Sequence, residues 1–313
     1  MEKERDRALG AFLGLAVGDA LGTTLEFVPR DRHPHHTEIT GGGPFHLLAG
    51  QWTDDTSMAL ALADSLLEVG EYDPNDVMRK YVSWWKEGRY SSTGECFDIG
   101  TTTRGALDMF LAVGRPEIGS HSPDTAGNGS IMRLAPAVIC ALPSEEAAIS
   151  LAVRQSKTTH GAIECLEACD YLGRQLSALI LGHDLGDRRG VYSSPGMTRI
   201  AARDWTGKSR EMIKSTGYVI DTLEAALWAD ANASSFEEAL ILAVNLGGDA
   251  DTIGAVTGQI AGARYGLSGI PQKWLDVLHD GSKLIDVATR LHNAHVTVET
   301  EREGFFSRLM RSR

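Results

Sequence analysis

Residues 8–22 read Ala8-Leu-Gly-Ala-Phe-Leu-Gly-Leu-Ala-Val-Gly-Asp-Ala-Leu-Gly22, and residues 250–266 read Ala250-Asp-Thr-Ile-Gly-Ala-Val-Thr-Gly-Gln-Ile-Ala-Gly-Ala-Arg-Tyr-Gly266. Each stretch carries a glycine at every fourth position: Gly10, Gly14, Gly18 and Gly22 in the first, Gly254, Gly258, Gly262 and Gly266 in the second. A spacing of four lies along one face of a helix. An interior helical glycine costs about 1 kcal/mol against alanine, so two such stripes predict close backbone approach in a tightly packed bundle. Small residues at helix crossings are a sufficient explanation, and no ligand is required. The apolar run from Ala8 to Leu25 is broken by Asp19 and four glycines, which argues against both a signal peptide and a membrane span.

Outward from these stretches, apolar residues recur at helical rather than alternating spacing. Helices are predicted over 5–22, 55–69, 75–88, 101–113, 129–142, 144–156, 161–182, 209–231, 235–246, 250–265 and 271–291. Asp73-Pro74, Ser144-Glu145-Glu146 and Ser234-Ser235-Phe236-Glu237 are start signals of the cap-then-acid kind. The expected fold is all-α, a compact single-domain orthogonal helical bundle over 1–296, followed by a charged tail at 297–313. Two stretches, 29–51 and 182–207, are rich in Gly, Pro, His, Arg and Asp and read as surface loops that could rim a cleft.

With 313 residues the chain can bury one large core. Its formal charge of -12 would repel nucleic acid and anionic membranes, so neither is an expected partner, and a phosphate-bearing ligand would need a local positive device. Cys96, Cys140, Cys165 and Cys169 have neither zinc spacing nor the density of a disulfide scaffold, which fits a reducing cytoplasm.

Two acidic clusters carry the chemistry: Thr53-Asp54-Asp55-Thr56 and Asp249-Ala250-Asp251-Thr252. Each lies at a predicted helix start, where Asp and Thr serve as ordinary caps. Two carboxylates in each of two clusters are harder to explain that way, because like charges repel unless a cation neutralises them. Oxygen ligands match Mg²⁺ or Mn²⁺ better than zinc. Four aspartates, Asp54, Asp55, Asp249 and Asp251, balance two divalent ions about 3.5–4 Å apart, the spacing of two-metal sites. In Gly127-Asn128-Gly129-Ser130 the glycines would let the backbone approach a diphosphate, although taken alone the signal is weak and a plain turn before a core helix explains them better. His160 sits near another predicted helix start, where a neutral imidazole is favoured. His33, His35 and His36 read as a solvated loop.

At these residues the chain resembles the ADP-ribosylglycohydrolase family, whose bacterial members include the dinitrogenase reductase-activating glycohydrolase. The resemblance spans nearly the whole chain. It is carried by Gly14-Leu-Ala-Val-Gly-Asp-Ala-Leu-Gly22 with Glu26, Trp52-Thr-Asp-Asp-Thr56, Cys96-Phe-Asp-Ile-Gly100, Gly127-Asn-Gly-Ser-Ile-Met-Arg133, Thr159-His-Gly161, Gly217-Tyr-Val-Ile-Asp-Thr-Leu-Glu-Ala-Ala-Leu-Trp228 and Asn245-Leu-Gly-Gly-Asp-Ala-Asp-Thr-Ile-Gly254. It implies an all-helical monomer with two Mg²⁺ or Mn²⁺ ions at the base of a central cleft. Thr53, Asp54, Asp55, Asp249, Asp251 and Thr252 would ligate them. Gly127, Asn128, Gly129 and Ser130 would face the diphosphate and its adjoining ribose, and His160 and Tyr218 would help line the ADP-ribose site. Glu26 and Asp98 would lie near the scissile end. Thr101 stands where many bacterial relatives carry asparagine, a departure on the acceptor side.

The expected reaction removes ADP-ribose from a modified protein, with an arginine linkage favoured because a guanidine leaves protonated and an acidic pocket would assist it. Asp55, Glu26 and Asp98 are the candidates for proton transfer. A different reading is an immunity-type protein that blocks a cognate ADP-ribosyltransferase by occupying it, with or without hydrolysis. Phosphoryl transfer and isoprenoid synthesis fit poorly: residues 236–244 read as a helix where a strand would be needed, and Met58 stands where a second acidic motif would need aspartate.

Overall fold

A computed structural model describes residues 2–183 and 190–294. The first helix, α1 (Glu2–Gly22), and the eleventh, α11 (Ala250–Tyr265), run antiparallel through the centre. Their glycines face one another: a Cβ built on Gly10, Gly14 or Gly18 would collide with the backbone of Gly262, Gly258 or Gly254, and the reverse holds from α11. Bare backbone therefore meets bare backbone, the close approach that glycine permits. The segment Glu2–Leu25 is long and apolar enough to cross a membrane, but it is almost wholly buried by the other helices.

Around this pair pack α2 (Asp54–Val69), α3 (Pro74–Glu87), α4 (Thr101–Val113), α5 (Ala135–Ala141), α6 (Glu145–Lys157), α7 (Ile163–Leu181), α8 (Pro195–Ala202), α9 (Val219–Ala231), α10 (Phe236–Val244), α12 (Gln272–Val277) and α13 (Gly281–Asn293). The fold is all-α and single-domain, with no strand among the described residues and one continuous hydrophobic core. The start signals act as caps: Asp73, Ser144 and Ser235 accept from the N–H groups of Asn75, Ala147 and Glu238.

Four expectations need correction. The helix expected over 129–142 begins only at Ala135, after a turn in which Ile131 and Met132 donate to the Asn128 carbonyl. The one expected over 209–231 begins at Val219, because the preceding backbone is used by distant partners: Arg30 donates to the carbonyls of Arg210 and Ile213, and Asp249 N–H to that of Ser215. The span 271–291 is split at Leu278–Asp280, where His279 N–H donates to Gly50 and Asp280 takes a φ of 48°. Within the expected loop 182–207 lies α8, capped by Ser194. The tail at 297–313 lies outside the described residues.

Candidate active site

The antiparallel pairing sets the C-terminal end of α1 beside the N-terminus of α11, and the N-terminus of α2 joins them. Asp19 of α1 is fully buried there. Its Oδ1 accepts from the N–H and hydroxyl of Thr53 at 2.9 and 3.0 Å, and its Oδ2 from those of Thr56 at 3.0 and 2.7 Å. Thus α2 is capped from another helix. Its own N-cap Thr53 makes no side-chain capping bond, and neither does Asp249 at α11, so the plain capping explanation of those clusters does not hold.

The two clusters meet, with Thr53 and Asp251 198 residues apart in sequence. Oxygens of Asp19, Asp55 and Asp251 lie within 4.8 Å of one another, as do those of Glu26, Asp249 and Asp251. The Thr53 hydroxyl sits 3.2 Å from Asp55 Oδ2 and 3.3 Å from Asp251 Oδ2. Asp249 is steadied by Asn128, whose amide donates to its Oδ2 at 2.6 Å and to Thr222 Oγ1 at 2.9 Å. With Asp54 and Asp98, seven carboxyl groups gather, and none is paired with a lysine or arginine among the described residues.

Burial is the main cause pushing these groups up, and mutual repulsion adds to it for most: Asp19 to about 6, Asp98 to about 7, Glu26 to about 9, with Asp54, Asp55, Asp249 and Asp251 also raised. Asp55 Oδ1 and Glu26 Oε2 are buried without a hydrogen-bond partner. An all-oxygen cluster of carboxylates with orphaned oxygens fits hard divalent cations in charge and ligand type.

A pH effect follows. Each acid titrates higher folded than unfolded, so the stability it contributes is complete at low pH and is lost as pH rises through the folded value. In chelator, the thermal midpoint is expected to fall between about pH 5 and about pH 9, and saturating Mn²⁺ or Mg²⁺ to remove most of the fall. A metal-free midpoint that stays flat or rises over that interval would contradict this account.

Above the acidic floor opens a cavity of about 720 Å³, a volume suited to a nucleotide-sized ligand. Glu26, Asp54, Asp98, Asp249 and Thr252 line it from below and Gly127, Asn128, Gly129 and His160 from the side, while Asp19, Thr53, Asp55 and Asp251 lie beneath the surface. Among the described residues no lysine or arginine lines it, so the positive device expected for phosphate is not a charged side chain of theirs. The turn at 127–130 is not a helix start, and the N–H groups of Gly127 and Asn128 already donate to the carbonyls of Thr125 and Gly217.

His160 lies in the connection between α6 and α7 rather than on a helix N-terminus. Burial, reinforced by nearby Arg133, lowers it to about 3 and keeps the imidazole neutral. Arg133 donates to Thr159 Oγ1 at 2.7 Å, and that hydroxyl is 2.8 Å from His160 Nδ1. The Thr159 proton is then free for Nδ1, which assigns the ring hydrogen to Nε2, the atom that abuts Gly127 and Gly129 at the cavity wall.

Other expected residues fall differently. The Ser130 side chain is fully buried against Cys169 and does not line the cavity. Tyr218 stays at the edge: its backbone pairs with Gly127, and its hydroxyl donates to Glu164 at 2.6 Å. His36 is not solvated but buried, bonded to the Leu21 carbonyl and to Asn245. Residues 182–207 contribute nothing to the lining among the described residues. In the sequence Asp19 is only a lone carboxylate in a glycine-flanked apolar helix, with nothing local to mark it as a site residue.

The profile of a family described as ADP-ribosylglycohydrolase matches residues 1–301. The chain is 48% identical over 280 residues to the ADP-ribosylarginine hydrolase Tri1 of Pseudomonas putida (strain GB-1), covering 88% of this chain and 75% of that protein. It is 37% identical over 279 residues to the ADP-ribosyl-[dinitrogen reductase] glycohydrolase of Rhodospirillum rubrum, covering 87% and 90%. A solved structure titled ADP-ribosylglycohydrolase-related protein complex superposes with a TM-score of 0.83 at 42% identity, over 94% of this chain and all (100%) of that one.

Proposed function

We propose a specific reaction for this chain, which belongs to the ADP-ribosylglycohydrolase family: metal-dependent release of ADP-ribose from an arginine side chain of a modified protein. As a glycohydrolase it cleaves a glycosidic bond to ADP-ribose; the arginine linkage and the pair of divalent cations are our reading. One observation carries it: the cavity floor is a cluster of carboxyl groups and, among the described residues, no lysine or arginine lines the walls. Such a site attracts divalent cations and a protonated guanidine leaving group alike. The relatives named for ADP-ribosylarginine and dinitrogen reductase support the same substrate class.

Thr53, Asp54, Asp55, Asp249, Asp251 and Thr252 would hold the cations, with Asp19 fixing Thr53 and Thr56 from behind. Hard cations bound there would polarise ribose oxygens and lower the pKa of a coordinated water. With the N–H groups of Gly127 and Asn128 already donated to the carbonyls of Thr125 and Gly217, the Gly129 N–H and the Nε2–H of His160 would take the diphosphate. Asp55 is fully buried, whereas Glu26 and Asp98 line the cavity. Proton transfer at the scissile bond therefore falls to Glu26 and Asp98, and Asp55 to cation binding.

The test is incubation with arginine-linked, serine-linked and small-molecule-linked ADP-ribose, with Mg²⁺, Mn²⁺ or chelator, scoring free ADP-ribose. Release from arginine that stops in chelator is the expected result. Full activity in metal-free buffer would refute the cation reading, and preference for serine would refute the linkage.

A further inference from the structure

Among the described residues lining the cavity Phe27 is the one Phe, Tyr or Trp, and it is 65% exposed. It follows Glu26 directly and sits at a φ of 59°, a left-handed conformation that bulky residues rarely adopt. The conformation is pinned: Phe27 N–H donates to the Gly248 carbonyl at 2.7 Å, and Gly248 N–H to that of Val28 at 2.9 Å. Its ring meets Phe45 edge-on at 6.4 Å, and Phe45 meets Phe97 at 5.0 Å. Phe97 precedes Asp98, which itself has a φ of 58°. Three rings thus join the two strained turns that carry Glu26 and Asp98. Strain of this kind persists where its surroundings enforce it, commonly at a ligand clamp.

An aromatic face attracts cations, and a planar guanidinium can stack on it while its N–H groups reach carboxylates. Adenine would also stack, but it is neutral and offers the adjacent acids no positive charge. We propose that Phe27, braced by Phe45 and Phe97, is a specificity-determining wall that stacks on the guanidinium of the acceptor arginine, while Glu26 and Asp98 accept its N–H groups. This rests on the arginine-linked reading above.

Phe27→Leu keeps the bulk and removes the aromatic face; Phe27→Tyr keeps the face. With ADP-ribosylated arginine as substrate and free ADP-ribose as product inhibitor, Phe27→Leu is expected to raise KM about tenfold. The inhibition constant of ADP-ribose should stay within about twofold of wild type, and Phe27→Tyr should restore KM. Phe97→Leu, acting from behind the ring stack, should raise KM in the same direction by less. An inhibition constant that rises in step with KM would place the ring on the adenosine side and overturn the proposal, as would an unchanged KM in both leucine variants of an active enzyme. Wild-type protein that releases nothing from arginine would instead sink the linkage reading, and this proposal with it.

Discussion

Alanine at both Asp55 and Asp251 is expected to lower ADP-ribose release by at least about a thousandfold, while the metal-free protein becomes no less stable than wild type. The first effect reflects lost cation binding: electrostatic help worth several kcal/mol disappears, and each 1.4 kcal/mol is a factor of ten. The second runs against the usual rule that buried polar residues are costly to remove. Asp55 and Asp251 are fully or almost fully buried, both are raised by burial and by the other acids, and Asp55 Oδ1 has no hydrogen-bond partner. Removing them relieves repulsion in the metal-free cluster and forfeits two weak contacts to the Thr53 hydroxyl at 3.2 and 3.3 Å and one hydrogen bond from the Thr252 N–H to Asp251 Oδ1 at 2.8 Å, a smaller loss than the repulsion relieved. Were the two aspartates merely helix caps, alanine would cost about 0.5–2 kcal/mol each. Thermal unfolding in chelator separates the cases by sign, and addition of Mn²⁺ should raise the midpoint of wild type but not of the variant.

The parts of this site that were legible in the sequence are those whose local chemistry conflicts with their local structure. Paired aspartates at two helix starts overshoot what a cap requires, so Asp54, Asp55, Asp249 and Asp251 stand out. Asp19 does not, because a lone carboxylate in an apolar helix reveals its role only when the partner helix is known: its four acceptor contacts go to Thr53 and Thr56, more than 30 residues away. Distance explains the other differences too. Residues 209–218 carry helical spacing, but Arg30 and Asp249 claim their carbonyls. Residues 271–291 carry it as well, yet the chain must break where Gly50 packs on Val277. Phe27 escaped notice because left-handed backbone at a phenylalanine has no signature in composition or period.

Gly18→Ala and Gly105→Ala are expected to move stability in opposite directions, although helix propensity alone favours alanine by about 1 kcal/mol at both. Gly105, exposed within α4, has nothing within 4 Å of a built Cβ, so the propensity gain and the reduced freedom of the unfolded chain should appear as about 0.4–1 kcal/mol of stabilisation. Gly18 is the opposite case. Its Cβ would strike the carbonyl group of Gly254 and come within 2.9 Å of the Ala255 nitrogen. These are backbone atoms in the middle of a helix, with no rotamer to yield, so the methyl must push α1 and α11 apart along their length. Overpacking a core costs about 1–3 kcal/mol where side chains can shift, and more is expected where they cannot. The damage should extend to function, because Asp19 is the next residue of α1 and Asp251 lies one turn from Gly254 on α11. A separation of these helices would pull the two carboxylates off the shared cluster and weaken stabilisation by Mn²⁺ together with the fold. Urea unfolding of both variants, with and without Mn²⁺, measures each effect. A Gly18→Ala protein as stable as wild type, with undiminished stabilisation by Mn²⁺, would show that the glycine stripes do not set the spacing of the acidic floor.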